Sequence, residues 1–486
     1  MKRVVNALVK LFATSAMVLS AQTFTTVFNF DAADGSEPGA RLVQGADGSL
    51  YGTTIFGGAS DYGTAFKITT GGKLTTLYSF CAQTACADGQ YPVGLVLATD
   101  GDFYGTAGGG AYRDGTVFKI APTGTLTTLF SFCAHGGLYC PDGSSPNGLV
   151  QGADGDFYGT TSGGGVIPSD QTCYGGCGTI FKVTPRGALT TLYRLCSQPG
   201  CADGAGPTGL IQAADGNFYG TTGGGAYGSG EVFKITPSGT LSTVYSFCAQ
   251  SGCSDGDSSS ALVQAIDGDF YGTTYRGGAN GFGTIFKITP GGTLTTLHGF
   301  CSESGCVDGA APYAVLMQAT NGNPYGTTLS GGAGNHGTLF EVTPGGTLTT
   351  VYSFCAQGDC HEGPLAEAAL VQDTNGDLYG TTLFGGPASE FCEHLGCGTV
   401  FRLSFGLEPF VKTLPRSGQV GAAIRILGTD LADATSVSFA GTPAVFQVVS
   451  ATEIATVVPA GAATGKIQVA APGGTLDNAG LFFVHP

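Results

Sequence analysis

The sequence predicts an all-β fold: a seven-bladed β-propeller closed by an N-terminal strand and followed by a small β-sandwich. Three observations lead there. The phrase DGDFYGTT at 154–161 returns letter for letter at 267–274, and close variants begin at 47, 100, 215, 321 and 375. Aligned on the tyrosine (Tyr51, Tyr104, Tyr158, Tyr219, Tyr271, Tyr325, Tyr379), the steps are 53, 54, 61, 52, 54 and 54 residues. A period near 50 without helical spacing is that of propeller blades. Second, each unit holds four short runs rich in Thr, Val, Phe and Tyr, punctuated by Gly, Asp and Pro. Third, the strand count is offset by one between the two ends of the repeat region, as ring closure requires.

Taken in order, residues 1–21 read as a signal peptide. Lys2, Arg3 and Lys10 precede an apolar run, Leu11 to Leu19, and the small residues Ser20 and Ala21 follow, the order of a secretory leader. The run is shorter than the roughly 20 residues that span a bilayer. Residues 22–405 read as the propeller. Its first run, FTTVFNF at 24–30, stands alone. The third copy shows the full unit: strand A, GLVQGA (148–153); strand B, DFYGTT (156–161); strand C, GTIFKVT (178–184); and strand D, ALTTLYRL (188–195). Asp154-Gly155, between A and B, suits a type I′ hairpin turn, in which both central residues need positive φ. Pro185-Arg186-Gly187 turns C into D. Strands A, B and C occur seven times, the last C being GTVFRLSF at 398–405, whereas D follows a C strand only six times. FTTVFNF is thus the D strand that the seventh blade lacks, and its return removes the exposed edges of an open array. The one long step holds an insertion, VIPSDQTCYGGC at 166–177.

After Phe405 the period stops. Residues 406–486 hold short alternating runs with turns about every ten residues, the pattern of a sandwich. Gly428-Thr429-Asp430-Leu431, the VSFAGTP of 437–443, Val458-Pro459-Ala460-Gly461 and Phe482-Phe483-Val484 resemble the IPT/TIG family of immunoglobulin-like domains. That resemblance implies a fold and an extracellular accessory role, not an activity. The unit YGTT…GTVFKITP…GTLTTLYSF of residues 24–405 resembles the GloVer tandem repeat of the choice-of-anchor proteins. It implies an exported bacterial protein that often ends in a sorting signal. This chain ends LFFVHP instead, without an apolar tail or basic stop.

Composition narrows the function classes. Only 11% of the 486 residues are charged, the net charge is −16, and the 19 Lys and Arg are spread along the chain. Nucleic-acid binding wants clustered cations and is set aside. The 16 cysteines form eight close pairs. Six occupy one repeated position: Cys81/Cys86, Cys133/Cys140, Cys196/Cys201, Cys248/Cys253, Cys301/Cys306 and Cys355/Cys360. Cys173/Cys177 and Cys392/Cys397 lie in insertions. In an exported chain such pairs read as local disulfides. Structural zinc draws its ligands from knuckles near each other, and here each pair comes with its own repeat.

In a propeller the D-to-A and B-to-C loops share one face, and all eight cysteine pairs fall in those loops. That stapled face is the expected binding surface. Residues repeated in every blade are poor candidates for a unique site. The turn aspartates Asp47, Asp100, Asp154, Asp215 and Asp267 give way to Asn321 and Asn375, which suit a turn equally. The Asp-Gly after the second cysteine (Asp88, Asp142, Asp203, Asp255, Asp308) reads as another turn. No cofactor is expected, with repeated calcium at those aspartates as the alternative because hard oxygen ligands are near. The seventh blade departs most. CHEGPLAEAAL at 360–370 and ASEFCEHLGC at 388–397 put His361, Glu362, Glu393 and His394 in two loops of one face. Two His and two Glu suit ligand binding, a metal site or an acid–base pair; the plainer reading is solvated loop residues. No nucleophile motif such as GxSxG occurs. The expectation is a monomeric, non-catalytic protein, secreted or at the cell surface, that binds a glycan or surface protein. No nucleic-acid partner and no membrane insertion of the mature chain are expected. A polysaccharide-active hydrolase or lyase and a structural envelope component are the alternatives.

Overall fold

A computed structural model describes residues 22–134, 140–167, 173, 175–358, 360–387, 392 and 396–485. The expected signal peptide, 1–21, lies outside them. The repeats form seven antiparallel sheets, each ordered A-B-C-D, and the expected propeller is present. In blade 3 the strands are Ser144–Gln151, Phe157–Gly163, Thr179–Val183 and Leu189–Arg194. The last sheet combines Val371–Gln372, Leu378–Thr382 and Thr399–Ser404 with the N-terminal Thr23–Asn29 as its outermost strand. The pairing is antiparallel, from Thr23 opposite Ser404 to Asn29 opposite Thr399. The orphan strand closes the ring.

Strands B and C are buried on both faces because neighbouring blades cover them. The motif tyrosine of one blade stacks on the strand-B phenylalanine of the next: Tyr51 on Phe103 (4.2 Å), Tyr104 on Phe157 (4.0 Å), Tyr158 on Phe218 (3.9 Å). In every blade but the third, where Leu195 takes its place, a phenylalanine at the end of strand D meets one on the next strand C edge-on. Phe80–Phe118 (5.1 Å), Phe132–Phe181 (5.3 Å) and Phe300–Phe340 (5.2 Å) repeat this contact. The same contact appears at the seam, where Phe30 of the N-terminal strand meets Phe66 of blade 1 at 5.2 Å. Each such pair contributes about 0.5–1.5 kcal/mol beyond its buried area. The packing also explains the glycine after the tyrosine: a Cβ on Gly159 would lie 2.6 Å from the Phe181 ring.

The structure corrects the A–B turn. Gly155 has φ +84°, but Asp154 is not at positive φ, so the turn is not type I′. Gly155 N–H donates to Gly152 O, and Gly152 N–H donates to Asp156 O. That is a type I turn followed by a left-handed glycine, the three-residue alternative for a hairpin. Only glycine must be held left-handed, so Asp can become Asn without cost to the backbone.

The C-terminal segment is a sandwich of two four-stranded sheets. One joins Lys412–Leu414, Ala423–Leu427, Glu453–Val457 and Phe446–Ser450; the other joins Thr442–Ala444, Ser436–Phe439, Ile467–Ala471 and Gly474–Asp477. Ile424, Ile426, Phe439, Ile454, Val469 and Phe482 fill its core. It docks on the face of the A–B turns. Phe410 N–H donates to Thr374 O (3.0 Å), Thr452 Oγ1 donates to Ala46 O (2.6 Å), and Arg425 lies over Gly101. Its last strand, with Phe483 and His485, borders the turns of blades 3 and 4 at Ala153 and Ala214.

Candidate functional site

The repeated aspartates have structural work. Asp215 accepts from Asn217 N–H (3.0 Å), Tyr219 Oη (3.1 Å) and Lys234 Nζ (2.9 Å). Asp100 and Asp267 repeat this with Tyr104 and Lys119, and with Tyr271 and Lys287. Blade 6 keeps the figure with its polarity reversed: Asn321 Nδ2 donates to Tyr325 Oη (2.9 Å) and to Glu341 Oε1 (3.1 Å). Asp and Lys have changed together into Asn and Glu.

All eight expected disulfides are formed. In the repeated loops they join Cys81 to Cys86, Cys133 to Cys140, Cys196 to Cys201, Cys248 to Cys253, Cys301 to Cys306 and Cys355 to Cys360. In the insertions they join Cys173 to Cys177 and Cys392 to Cys397. Several of these cysteines are fixed by more than their disulfides. Cys86, Cys201, Cys253 and Cys306 each end a short 3-10 turn, with left-handed φ of 52°, 54°, 52° and 51°. The turn is closed by backbone bonds on both sides of the cysteine. Cys86 N–H donates to Gln83 O and Cys86 O accepts from Gly89 N–H, both at 2.9 Å; Cys306 is bonded likewise to Glu303 and Gly309. Cys397 is buried in the seam core with Phe30 and Val400, and its carbonyl accepts from Glu37 N–H (2.9 Å). These cysteines are therefore parts of the scaffold rather than of a ligand surface, because backbone bonding and burial occupy their loops from within.

The loop aspartates complete the stapling. Asp88 accepts from Tyr78 Oη (2.8 Å), Ala82 N–H (2.9 Å) and Gln83 N–H (3.2 Å), and Asp203 and Asp255 do the same in their blades. With hydrogen-bond donors on both oxygens, these carboxylates are occupied by their own loops. Glu362 stands where the other blades have this aspartate, accepting from Cys355 N–H (2.9 Å) and Tyr352 Oη (3.3 Å). His361 is exposed, and its carbonyl accepts from Gly386 N–H (3.0 Å), so the two blade 7 loops do meet. Glu393 and His394 lie outside the described residues.

The loop face carries features that sequence reasoning passed over. Every exposed aromatic among the described residues lies there: Tyr91, Tyr112, Tyr227, Phe282 and Tyr313. Some form clusters across blade boundaries, with Tyr91 edge-on to Phe56 (5.4 Å) and Tyr62 (5.5 Å), and Tyr313 near Tyr275 (6.2 Å). Nearby, at the start of strand A in blades 7 and 1, Glu367 and Glu37 are half-buried. Burial raises both carboxyls, and Glu37 raises Glu367 further.

A second departure lies deeper, on the A strands around the central channel, where A strands of neighbouring blades touch. Two residues before the strand-A position that pairs with the motif tyrosine, six blades have Gly94, Gly148, Gly209, Ala261, Val315 and Ala369. Blade 1 has Arg41. Two residues after it, the other blades have Gly or Ala, whereas blade 7 has Asp373. From the sandwich, Lys412 Nζ donates to Gln44 Oε1 (2.8 Å) and to Gln372 O (2.5 Å). Burial pushes the Lys412 amine down to about 7; Asp373 opposes this, and Arg41 and Arg416 add to it. Burial, then Arg416, pulls the Arg41 guanidinium down to about 10. Both arginines are nevertheless exposed to solvent, so the crowding around them comes from surrounding chain and does not shut out water. The signal was present in the sequence, since aligning strand A blade by blade isolates both substitutions.

A family model described as the Gloeobacter/Verrucomicrobia repeat matches residues 13–169 and 145–401, and an IPT/TIG domain model matches 410–483. No curated protein sequence matches the chain. Among solved structures, it is similar to the extracellular domain assigned to a hybrid two-component system of B. thetaiotaomicron. That match has 11% identity and a TM-score of 0.53, and covers 94% of this chain and 52% of the other. The chain thus spans about half the length of that protein, and the likeness concerns the fold alone. A PQQ-bound aldose sugar dehydrogenase from Streptomyces coelicolor matches at 16% identity, with a TM-score of 0.38 and coverages of 64% and 93%. No membrane-crossing helix is present among the described residues. With matches that together run from residue 13 to residue 401, the chain belongs to the Gloeobacter/Verrucomicrobia repeat family and carries a C-terminal IPT/TIG domain.

Proposed function

We propose that this is an exported, non-catalytic protein that binds an extracellular glycan through the propeller's loop face. The observation that carries this reading is the confinement of exposed aromatic rings to that face. An aromatic ring offers a rigid apolar surface at low entropic cost, and such a surface suits the C–H faces of sugar rings. The eight disulfides support it by holding the loops and by fitting an oxidising, extracellular setting. The opposite face is built of tight turns and partly covered by the sandwich. His361 and Glu362 form the proposed rim at blade 7. A glycan array probed with the leaderless protein tests the reading. Binding to a defined set of glycans, weakened at least about tenfold by Tyr227→Ala or Tyr313→Ala, is expected; an empty array would overturn it.

One observation favours a second reading, an enzyme acting on polysaccharide. Glu37 and Glu367 are two neighbouring carboxyls raised by burial, Glu367 further by Glu37, and glycoside hydrolysis works with a pair of carboxyl groups flanking the scissile bond. Reducing-end release from polysaccharide, abolished by Glu367→Gln, would establish it and displace the non-catalytic reading.

A further inference from the structure

We infer that the central channel, floored by the sandwich, is a binding site for an oxyanion, the carboxylate, sulfate or phosphate group of a ligand, held by Arg41 and Arg416. Three independent observations support this. The first is the break in the repeat. At the channel position of strand A, six blades carry Gly, Ala or Val, and a Cβ built on Gly209 meets Ala261 at 3.8 Å, so these positions neighbour one another around the axis. One arginine in a ring of small residues has open space before it. The second is that the cations come from two separate parts of the chain. Arg41 belongs to blade 1, Arg416 to the sandwich, and Lys412 ties the sandwich to Gln44 and Gln372 at the seam. The docked sandwich closes the turn-side end, and through Lys412 on Gln44 it sets Arg416 within electrostatic reach of Arg41. The third is the absence of a counter-charge. Among the described residues neither guanidinium has an ion pair or a side-chain hydrogen bond, whereas Arg402 and Arg425 are each paired with a carboxylate. Just after strand A of blade 7, Asp373 is buried, its charge acts on Lys412, and its Oδ1 has no hydrogen-bond partner.

Like charges gathered in a narrow channel repel one another and focus a positive potential there, even where solvent reaches them. Guanidinium groups present planar donor pairs that match carboxylate, sulfate and phosphate geometry. An oxyanion between them would supply the missing charge. The ligand would enter from the loop face, the end that the sandwich leaves free. This inference does not rest on the glycan reading, because simple anions test the channel while neutral glycans test the loop face.

The test is calorimetric titration of the leaderless protein at constant ionic strength with sodium glucuronate, glucose, sulfate and phosphate. Arg41→Gly is the informative variant, since blades 2, 3 and 4 carry glycine at that position and the fold accommodates it there. Arg416→Met provides a second reading on the sandwich side. Saturable binding of at least one anion but not of glucose is expected, weakened at least about tenfold in either variant, as for loss of a charge-assisted hydrogen bond. Preference for glucuronate identifies an acidic saccharide, and preference for sulfate or phosphate identifies the inorganic group. No saturable binding of any anion, or affinity unchanged in both variants, overturns the inference.

Discussion

Asp215, Tyr219 and Lys234 show what one residue of the repeat contributes. The aspartate caps its own turn, accepts the buried tyrosine's hydroxyl, and pairs with the lysine of strand C. Exposed ion pairs of this kind contribute about 0.2–1 kcal/mol, so conservation of charge sign is not required, only complementarity. Blade 6 proves the point within the same chain, with Asn321 and Glu341 in place of Asp and Lys. Blade 4 already has Asn217 where blade 6 has Asn323. Lys234→Glu alone is therefore expected to cost about 1 kcal/mol, by setting like charges side by side. Adding Asp215→Asn should recover most of it, as measured by urea midpoints of the single and double variants. A double variant no better than the single would show that the two positions are not coupled.

At the scale of elements, the seam and the stapled loops are the parts whose removal should be felt. Phe30 of the closing strand is 1% exposed and packs on Phe66 of blade 1. Phe30→Ala should lower stability by about 3–5 kcal/mol, the usual cost of truncating a buried phenylalanine. Because the ring is closed only through this strand, limited proteolysis should then cut first near residues 23–29. Cys248→Ser with Cys253→Ser opens one short loop and should cost about 2 kcal/mol by loop entropy. Mass analysis without reductant should find no free thiol in the parent protein. The element boundaries are only partly legible in the sequence. Its pattern places strand A of blade 3 at 148–153, whereas the strand runs Ser144–Gln151, because Gly152 and Ala153 belong to the turn and the preceding loop residues join the ladder.

For the whole molecule, the docking of the sandwich is the feature with a pH signature. Lys412 is half-buried, with its amine bonded to Gln44 and Gln372 and within electrostatic reach of Asp373, Arg41 and Arg416, and its folded amine is depressed to about 7. An unfolded lysine titrates at about 10.4. Between those values the unfolded chain holds the extra proton, so this group makes stability rise with pH from about 7 to 10 and destabilises the fold below 7. The stability of the parent minus that of Lys412→Met should therefore increase between pH 7 and pH 9 in urea titrations. A difference that stays flat would mean that the amine is not desolvated.

The sequence by itself determined the all-β class, the repeat, its strands and the closing role of the orphan N-terminal strand. Each of these is written locally, in hydrophobic alternation, turn residues and a count of copies. It also determined the disulfide pairs, since the partners are at most seven residues apart. Only the tertiary structure decided which exposed rings share a face, that Cys397 is sunk in the seam core, and that the sandwich lies across the turn side of the channel. Tyr91 and Phe56 meet across a blade boundary, and Lys412 meets Gln44 over 368 positions of chain. No local pattern encodes such contacts; they arise because closing the ring and docking the sandwich bring distant segments together. Arg41 stood out in the strand-A alignment as one letter among small ones. Its meaning came from what the fold placed opposite it.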